Sequence, residues 1–287
     1  MPLSQKQIGF IGAGNMAEAM IQALRHGLDL PSHHILAADP DPLRRDLMTS
    51  RFGIQTTEDS MDVFMRADIL VLAVKPQQME ALLASLTQDK RYSTLSRKKL
   101  ILSIAAGISL HFLEKHLKAS LSPSQKDLLV PIRVMPNTPC LVGCGMSGIS
   151  RGAGVRDPDM EQAMALMSAM GKVCVIPESL MDALTALSGS GPAYLFLFAE
   201  SMIRAGESLG LSSQDALTLT VQTLKGAVAL LETGEADAAT LRQRVTSPGG
   251  TTAAALAVLR DGGFEDLILR ALVAARDRSR ELSANLP

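Results

Sequence analysis

The sequence predicts a doubly wound α/β domain over residues 1–176 followed by an all-α domain over residues 177–287. Three observations carry that prediction. Short apolar, β-branched runs alternate with helical patterns up to Ile176, the spacing of a sheet with helices on its faces. After Pro177 the strand signal disappears, and every apolar pattern has the helical period. The chain has 287 residues, 47% hydrophobic and 20% charged, which marks a globular protein long enough for two domains.

Ile8-Gly9-Phe10-Ile11 reads as a buried strand that stops at glycine, and Met16 to Leu24 has helical spacing. His34 to Asp39 reads as a second strand and Leu43 to Phe52 as a charged amphipathic helix. Ile69 to Val74 is continuous and β-branched, the strongest buried strand, and ends at Lys75-Pro76 before a helix over Met79 to Leu86. Strands over Leu100 to Ile104 and Leu129 to Met135 flank a helix over Leu110 to His116 and a polar surface loop over Ser120 to Lys126. Pro158 to Met170 is helical, and Lys172 to Ile176 is a last strand.

The helical half comprises Leu180 to Leu187, Pro192 to Leu209, Gln214 to Glu232, Ala238 to Val245, Thr251 to Leu259 and Phe264 to Leu282. Turns at Gly189-Ser190-Gly191, Gly210, Gly234 and Gly262-Gly263 separate them. Ala193-Tyr194-Leu195-Phe196-Leu197-Phe198-Ala199 leaves almost no polar face, more than a bundle of this size covers alone. A homodimer through the C-terminal helices is the expectation.

Composition removes whole classes of function. A net charge of −1 gives no electrostatic footing for nucleic acid, and 3% aromatics with no Trp gives no stacking platform. Cys140, Cys144 and Cys174 are odd in number and lack a second Cys/His pair at ligand spacing, so neither a disulfide framework nor a metal site is expected. Gly12, Gly14, Asn15 and Glu18 interrupt any signal-peptide core, and no run approaches the ~20 apolar residues of a membrane span. A soluble, cytoplasmic protein without membrane partners is expected.

Gly12-Ala13-Gly14-Asn15-Met16-Ala17 follows the first strand and opens the first helix, the G-x-G-x-x-A pattern of dinucleotide binding. Gly12 makes the turn, Gly14 lets a pyrophosphate approach the backbone, and Ala17 lets helix and strand pack closely. Asp39 ends the second strand, where a carboxylate bonds a ribose 2′-hydroxyl and repels a 2′-phosphate. Arg44 and Arg45 either meet a 2′-phosphate or lie on a solvated helix face, and the solvated face is the preferred reading. Preference between NADH and NADPH stays open on these residues.

Ala73-Val74-Lys75-Pro76 and Ile104-Ala105-Ala106-Gly107 end two further strands at the edge where open α/β sheets bind ligands. Lys75 before a proline reads as a structural or cofactor-contacting residue rather than an acid catalyst. Asn137, held in Met135-Pro136-Asn137-Thr138-Pro139, either touches ring or substrate with its amide or makes an ordinary Asx turn.

In the helical half, Ser247-Pro248-Gly249-Gly250-Thr251-Thr252 runs into an alanine-rich helix. A glycine turn into a helix presents free N–H groups and a positive dipole end, which bind a carboxylate or phosphate without Lys or Arg. Histidines stand at 26, 33, 34, 111 and 116, none in the helical half, so no His–Asp hydride-transfer pair has a bearer beside this turn. The hydroxyls of Ser247, Thr251 and Thr252 orient a polar atom but are poor bases, which suits reduction of a C=N bond, since a protonated imine accepts hydride with little further acid help.

Over Ile8 to Leu282 the chain resembles the pyrroline-5-carboxylate reductases. The resemblance rests on the motifs above and, most specifically, on Ser188-Gly189-Ser190-Gly191-Pro192-Ala193-Tyr194 and Val245-Thr246-Ser247-Pro248-Gly249-Gly250-Thr251-Thr252. It implies a Rossmann domain with a helical dimerisation domain, dimers assembled into larger rings such as a decamer of five, and hydride transfer from NADPH or NADH to 1-pyrroline-5-carboxylate. By matching motif it implies that the backbone at Gly250, Thr251 and Thr252 holds the substrate carboxylate and that Thr252 bonds the ring nitrogen. It places Glu235 as a substrate-site acid and lines the cofactor with Ala73 to Pro76 and Ile104 to Ala106. Arg204 stands where the family commonly has Asp, and Asp39 where NADPH-preferring members often have Ser or Arg.

Two other readings compete. A β-hydroxyacid dehydrogenase needs a lysine on the helix opening the second domain, yet Ser188 to Tyr194 contains none and the next is Lys225. A protein that senses NAD(P) without turnover has no use for the substrate-type turn at Ser247 to Thr252.

Overall fold

An eight-stranded sheet organises the first part of the chain, in the order β3-β2-β1-β4-β5-β6-β7-β8. The strands are β1 (Ile8–Ile11), β2 (Ile35–Ala38), β3 (Gln55–Thr57), β4 (Ile69–Leu72), β5 (Lys99–Ser103), β6 (Leu129–Met135), β7 (Gly145–Arg151) and β8 (Gly171–Val175). Neighbours are parallel throughout except for β6 against β7. The computed structural model describes residues 3–284. It divides into two compact units, one running to Ser190 and taking in the last helix from Ala275, the other Gly191–Ala274.

In the first unit the connections are α1 (Asn15–His26), α2 (Pro42–Phe52), α3 (Ser60–Arg66), α4 (Met79–Gln88), α5 (Leu110–Lys118), α6 (Pro123–Lys126), α7 (Asp157–Ser168) and α8 (Met181–Leu184). Every residue of β1, β2 and β4 is buried, because helices cover both faces of a parallel sheet. Alternation along the strands feeds two cores: Ile8, Phe10, Ile69 and Val71 pack on one face with Met20 and Ile21, while Ile11, Leu70 and Leu72 pack on the other with Phe64 and Leu83. Gly9 has a steric reason: a Cβ there would lie 2.7 Å from Val63 and 2.8 Å from Ala67.

A buried lysine braces this unit. Lys99 is 1% exposed, and its Nζ donates to the carbonyls of Ala67 at 2.7 Å and Met65 at 3.0 Å, closing the C-terminal end of α3. Burial, with Arg97 nearby, pushes its pKa down to about 8.

The sequence reading missed three elements. β3 is a three-residue edge strand of Gln and Thr with no apolar run, and α3 is seven residues long with an Asp59 cap. β7, Gly-Met-Ser-Gly-Ile-Ser-Arg, lacks strand composition because its neighbours leave little room: a Cβ at Gly145 would lie 2.8 Å from that of Cys140. The surface loop expected over Ser120 to Lys126 carries the one-turn helix α6, held by a capping box from Ser122 and Gln125. The turn expected at Gly189-Ser190-Gly191 is instead a π-helical turn, Thr185–Gly189, with Ser190 N–H donating to Thr185 O at 2.8 Å.

The second unit holds α9 (Gly191–Ser208), α10 (Ser213–Glu232), α11 (Ala238–Arg244), α12 (Thr251–Asp261) and the start of α13 (Phe264–Ala284). Among the described residues only Ala216 and Thr220 of this unit are buried. Leu195, Phe196 and Leu197 are 61, 70 and 64% exposed, and a groove of about 630 Å³ runs between α9, α10 and α13, lined by Leu195, Leu197, Phe198, Leu267 and Ile268 among others. Among the described residues no helix is long and apolar enough to cross a membrane.

Candidate functional site

Two places in the chain offer binding chemistry, one in each unit. The first begins at the carboxyl end of β1. Gly12 adopts φ +94°, and its N–H donates to Ala38 O at 2.8 Å. A Cβ there would stand 2.7 Å from Ala73 O, so only glycine turns the chain this closely against the end of β4. Gly14 caps α1 without a side-chain bond, and nothing lies within 4 Å of where its Cβ would be. The first amides of α1 therefore open onto a cleft of about 540 Å³, which Asn15 and Met16 line with Gly14.

Ala73, Val74, Lys75 and Pro76 after β4, Ile104, Ala105 and Ala106 after β5, and Met135 to Thr138 after β6 complete the cleft, with Gly189 of the π-helical turn. Lys75 is extended, φ −61° and ψ 146°, and its carbonyl accepts from Gln78 N–H at 2.9 Å, so the Lys75-Pro76 step is a fixed turn. The cleft is concave, lies at the carboxyl edge of a parallel sheet and is floored by glycine and free amides, which fits a dinucleotide.

Three side chains do something the sequence reading did not give them. Asn137 donates its amide to Ser188 O at 3.2 Å and Ser188 Oγ at 3.3 Å, while its Oδ1 accepts from Met146 N–H at 2.8 Å. The amide thus ties the β6 loop to β7 and to the π-helical turn, although the residue lines the cleft. Arg44 and Arg45 do not lie on a solvated face. Arg44 donates from Nε to Ala13 O at 2.7 Å and pairs with Glu18 at 2.8 Å; Arg45 donates to Asp39 O at 2.7 Å and Pro40 O at 2.9 Å. Local backbone carbonyls, invisible in a helical wheel, capture both guanidinium groups.

Asp39 lies beyond the lining of the cleft, just after β2, and accepts from the N–H of Ala13 at 2.7 Å and of Asp41 at 2.9 Å. Ala13 is therefore gripped on both sides of its residue, at N–H by Asp39 and at C=O by Arg44. Behind the turn, the Sγ of buried Cys140 sits 3.4 Å from Met16 Sδ, and burial pushes that thiol's pKa up.

The second place is the turn before α12. Gly249 takes φ +69°, and the N–H of Gly250 donates to Ser247 O at 3.0 Å, closing the turn. Gly250 caps α12 in extended conformation, φ −82° and ψ 173°, without a side-chain bond. Because the amide of Gly250 is used inside the turn, the amides without a backbone acceptor begin at Thr251 and continue through Thr252 and Ala253. Ser247 and Thr251 are exposed and Thr252 is half-buried.

Glu235 stands in the turn between α10 and α11 after Gly234, exposed, with its N–H on the Thr233 hydroxyl at 3.4 Å; no hydrogen bond joins it to the Ser247–Thr252 turn among the described residues. Arg204 pairs with Glu200 one helical turn away at 2.5 Å on the surface of α9.

Comparison with known proteins gives a family match over each part of the chain. Residues 178–282 match the family profile described as pyrroline-5-carboxylate reductase dimerisation, and residues 7–107 match that described as NADP oxidoreductase, coenzyme F420-dependent. The pyrroline-5-carboxylate reductase of Pseudomonas aeruginosa is 43% identical over 285 residues, covering 99% of each chain. The solved pyrroline-5-carboxylate reductase of Coxiella burnetii superposes with a TM-score of 0.86 at 36% identity, over 97% of this chain and 98% of that one. The Plasmodium falciparum pyrroline carboxylate reductase, solved with NADP bound, gives a TM-score of 0.84 at 28% identity, over 98% and 100%.

Proposed function

The chain belongs to the pyrroline-5-carboxylate reductase family, and from that premise we propose that it reduces the C=N bond of 1-pyrroline-5-carboxylate to L-proline, the last step of proline biosynthesis, with NADPH or NADH. The observation that carries this reading to the residues is the Ser247–Thr252 turn. It offers amides and hydroxyls to an anion at the start of α12 and no histidine or lysine, a donor set that suits a carboxylate beside an imine.

When bound in the cleft, a reduced nicotinamide would supply the hydride that adds to the carbon of the protonated imine, leaving a neutral amine. The chain's own residues bind and orient. Gly12, Ala13, Gly14, Asn15 and Met16 would receive the dinucleotide's pyrophosphate on the first turn of α1, and Ala73 to Pro76 with Ile104 to Ala106 would line its nicotinamide half. Asn137 acts here through the loop it pins. The amides of Thr251 and Thr252, with the Gly250 turn and Ser247 shaping them, hold the substrate carboxylate. The Thr252 hydroxyl bonds the ring nitrogen and keeps the imine carbon presented, and Glu235 serves as a substrate-site acid.

Residues 177–287 form the dimerisation and substrate-binding domain in this reading, and a cytoplasmic homodimer that assembles further into a decamer of five dimers is part of the same proposal. The exposed apolar faces of α9 and α13 support the dimer.

The test is direct. Purified protein, incubated with the cyclic imine and NADPH or NADH, is expected to oxidise the nicotinamide, read at its absorbance band, and to leave a β-keto acid untouched. Turnover of the β-keto acid in place of the imine overturns the reading, as does no turnover of either.

A further inference from the structure

Asp39 in the turn after β2, with Arg44 and Arg45 on the first turns of α2, stands beside the Gly12–Met16 turn. Asp39 stands one residue past the end of β2, with one oxygen accepting from Ala13 N–H at 2.7 Å and the other from Asp41 N–H at 2.9 Å. A carboxylate has about four acceptor positions, so each oxygen retains one for a ligand hydroxyl. In a doubly wound fold an acid at this place faces the adenosine ribose.

The nearby cations do not offset that charge for a ligand. Arg44 is held by Ala13 O and by Glu18, which also pairs with Arg51. Arg45 is turned onto the carbonyls of Asp39 and Pro40. Asp41 adds a second carboxylate that caps α2 through Leu43 N–H at 2.9 Å.

Resting on the reductase reading above, we propose that Asp39 makes this enzyme selective for NADH: its carboxylate accepts from the 2′-hydroxyl of the adenosine ribose and repels a 2′-phosphate. The same carboxylate supports the Gly-rich turn through Ala13, so shape and selectivity are set by one side chain.

Binding tests it without turnover. The chain has no Trp and two Tyr, which leaves nicotinamide fluorescence clean on titration with NADH and with NADPH. The expected dissociation constant is at least tenfold lower for NADH, and the gap narrows as salt screens the repulsion. Asp39→Ser removes the charge and keeps a hydroxyl near Ala13; it is expected to lower the NADH-to-NADPH preference at least tenfold. A purely structural role weakens both cofactors together and leaves their ratio unchanged. Equal or tighter NADPH binding by the unaltered protein overturns the proposal, as does an unchanged ratio in a folded Asp39→Ser variant. Failure of imine turnover with both cofactors sinks the reductase reading alone and leaves the selectivity measurement standing.

Discussion

In the sheet unit β1, β2 and β4 are buried along their whole length, whereas among the described residues of Gly191–Ala274 only Ala216 and Thr220 are buried and Phe196 is 70% exposed. Both units are rich in Leu, so total apolar content does not by itself explain the difference. What separates them is layering. A parallel sheet receives its covering helices from its own crossovers, while in the second unit the apolar start of α9 and the Leu267–Leu269 stretch of α13 stay exposed and need a further surface to cover them. Fully burying one Leu or Phe contributes about 1.5–3 kcal/mol, so the exposed faces of α9 and α13 represent a large unused driving force for a second copy.

The comparison breaks most easily at α9. Leu197 lines the open groove at 64% exposure, so Leu197→Glu costs the single chain little. In a dimer it places a charge in an apolar contact, and the dimer dissociation constant is expected to rise at least about a hundredfold. Sedimentation velocity checks it, with circular dichroism showing that the helices remain. An unchanged sedimentation coefficient would falsify the contrast drawn between the units.

A smaller effect sharpens the other side. Lys99 has a folded pKa pushed down to about 8, against 10.5 in an unfolded chain. Below about pH 8 both states hold the proton, and the fold carries the burden of a buried charge. Between about pH 8 and 10.5 the unfolded chain holds more protons than the fold, so this residue makes stability rise with pH. Lys99→Met is expected to flatten that rise, by an amount on the order of 1 kcal/mol. Urea titrations at pH 7 and pH 9.5 measure it, and an equal slope in both proteins removes Lys99 as the cause.

How far the sequence could be read follows the same divide. β4 was legible because Ile69–Leu72 is apolar at every position, as a strand covered on both faces must be. β7 was not, because Gly145 and Gly148 are fixed by close neighbours rather than by strand preference, and serines stand between them and after them. The Gly12–Met16 turn announced itself through spacing, since its chemistry belongs to the backbone. The bonds of Asn137, Arg44 and Arg45 connect residues brought together only by folding, and no local pattern reports that a guanidinium will land on Ala13 O. The Gly250 amide is a finer case: the turn was legible, but the bond to Ser247 O shifts the open donors to Thr251 and beyond.

The central claim divides the labour, with the dinucleotide on the sheet unit and the imine on the turn before α12. Thr252→Ala tests it most directly. Cofactor affinity, measured by nicotinamide fluorescence, is expected to stay unchanged, while kcat/KM for the cyclic imine falls by about ten- to a hundredfold, the loss of one transition-state hydrogen bond. A folded Thr252→Ala protein with unaltered imine kinetics contradicts the account.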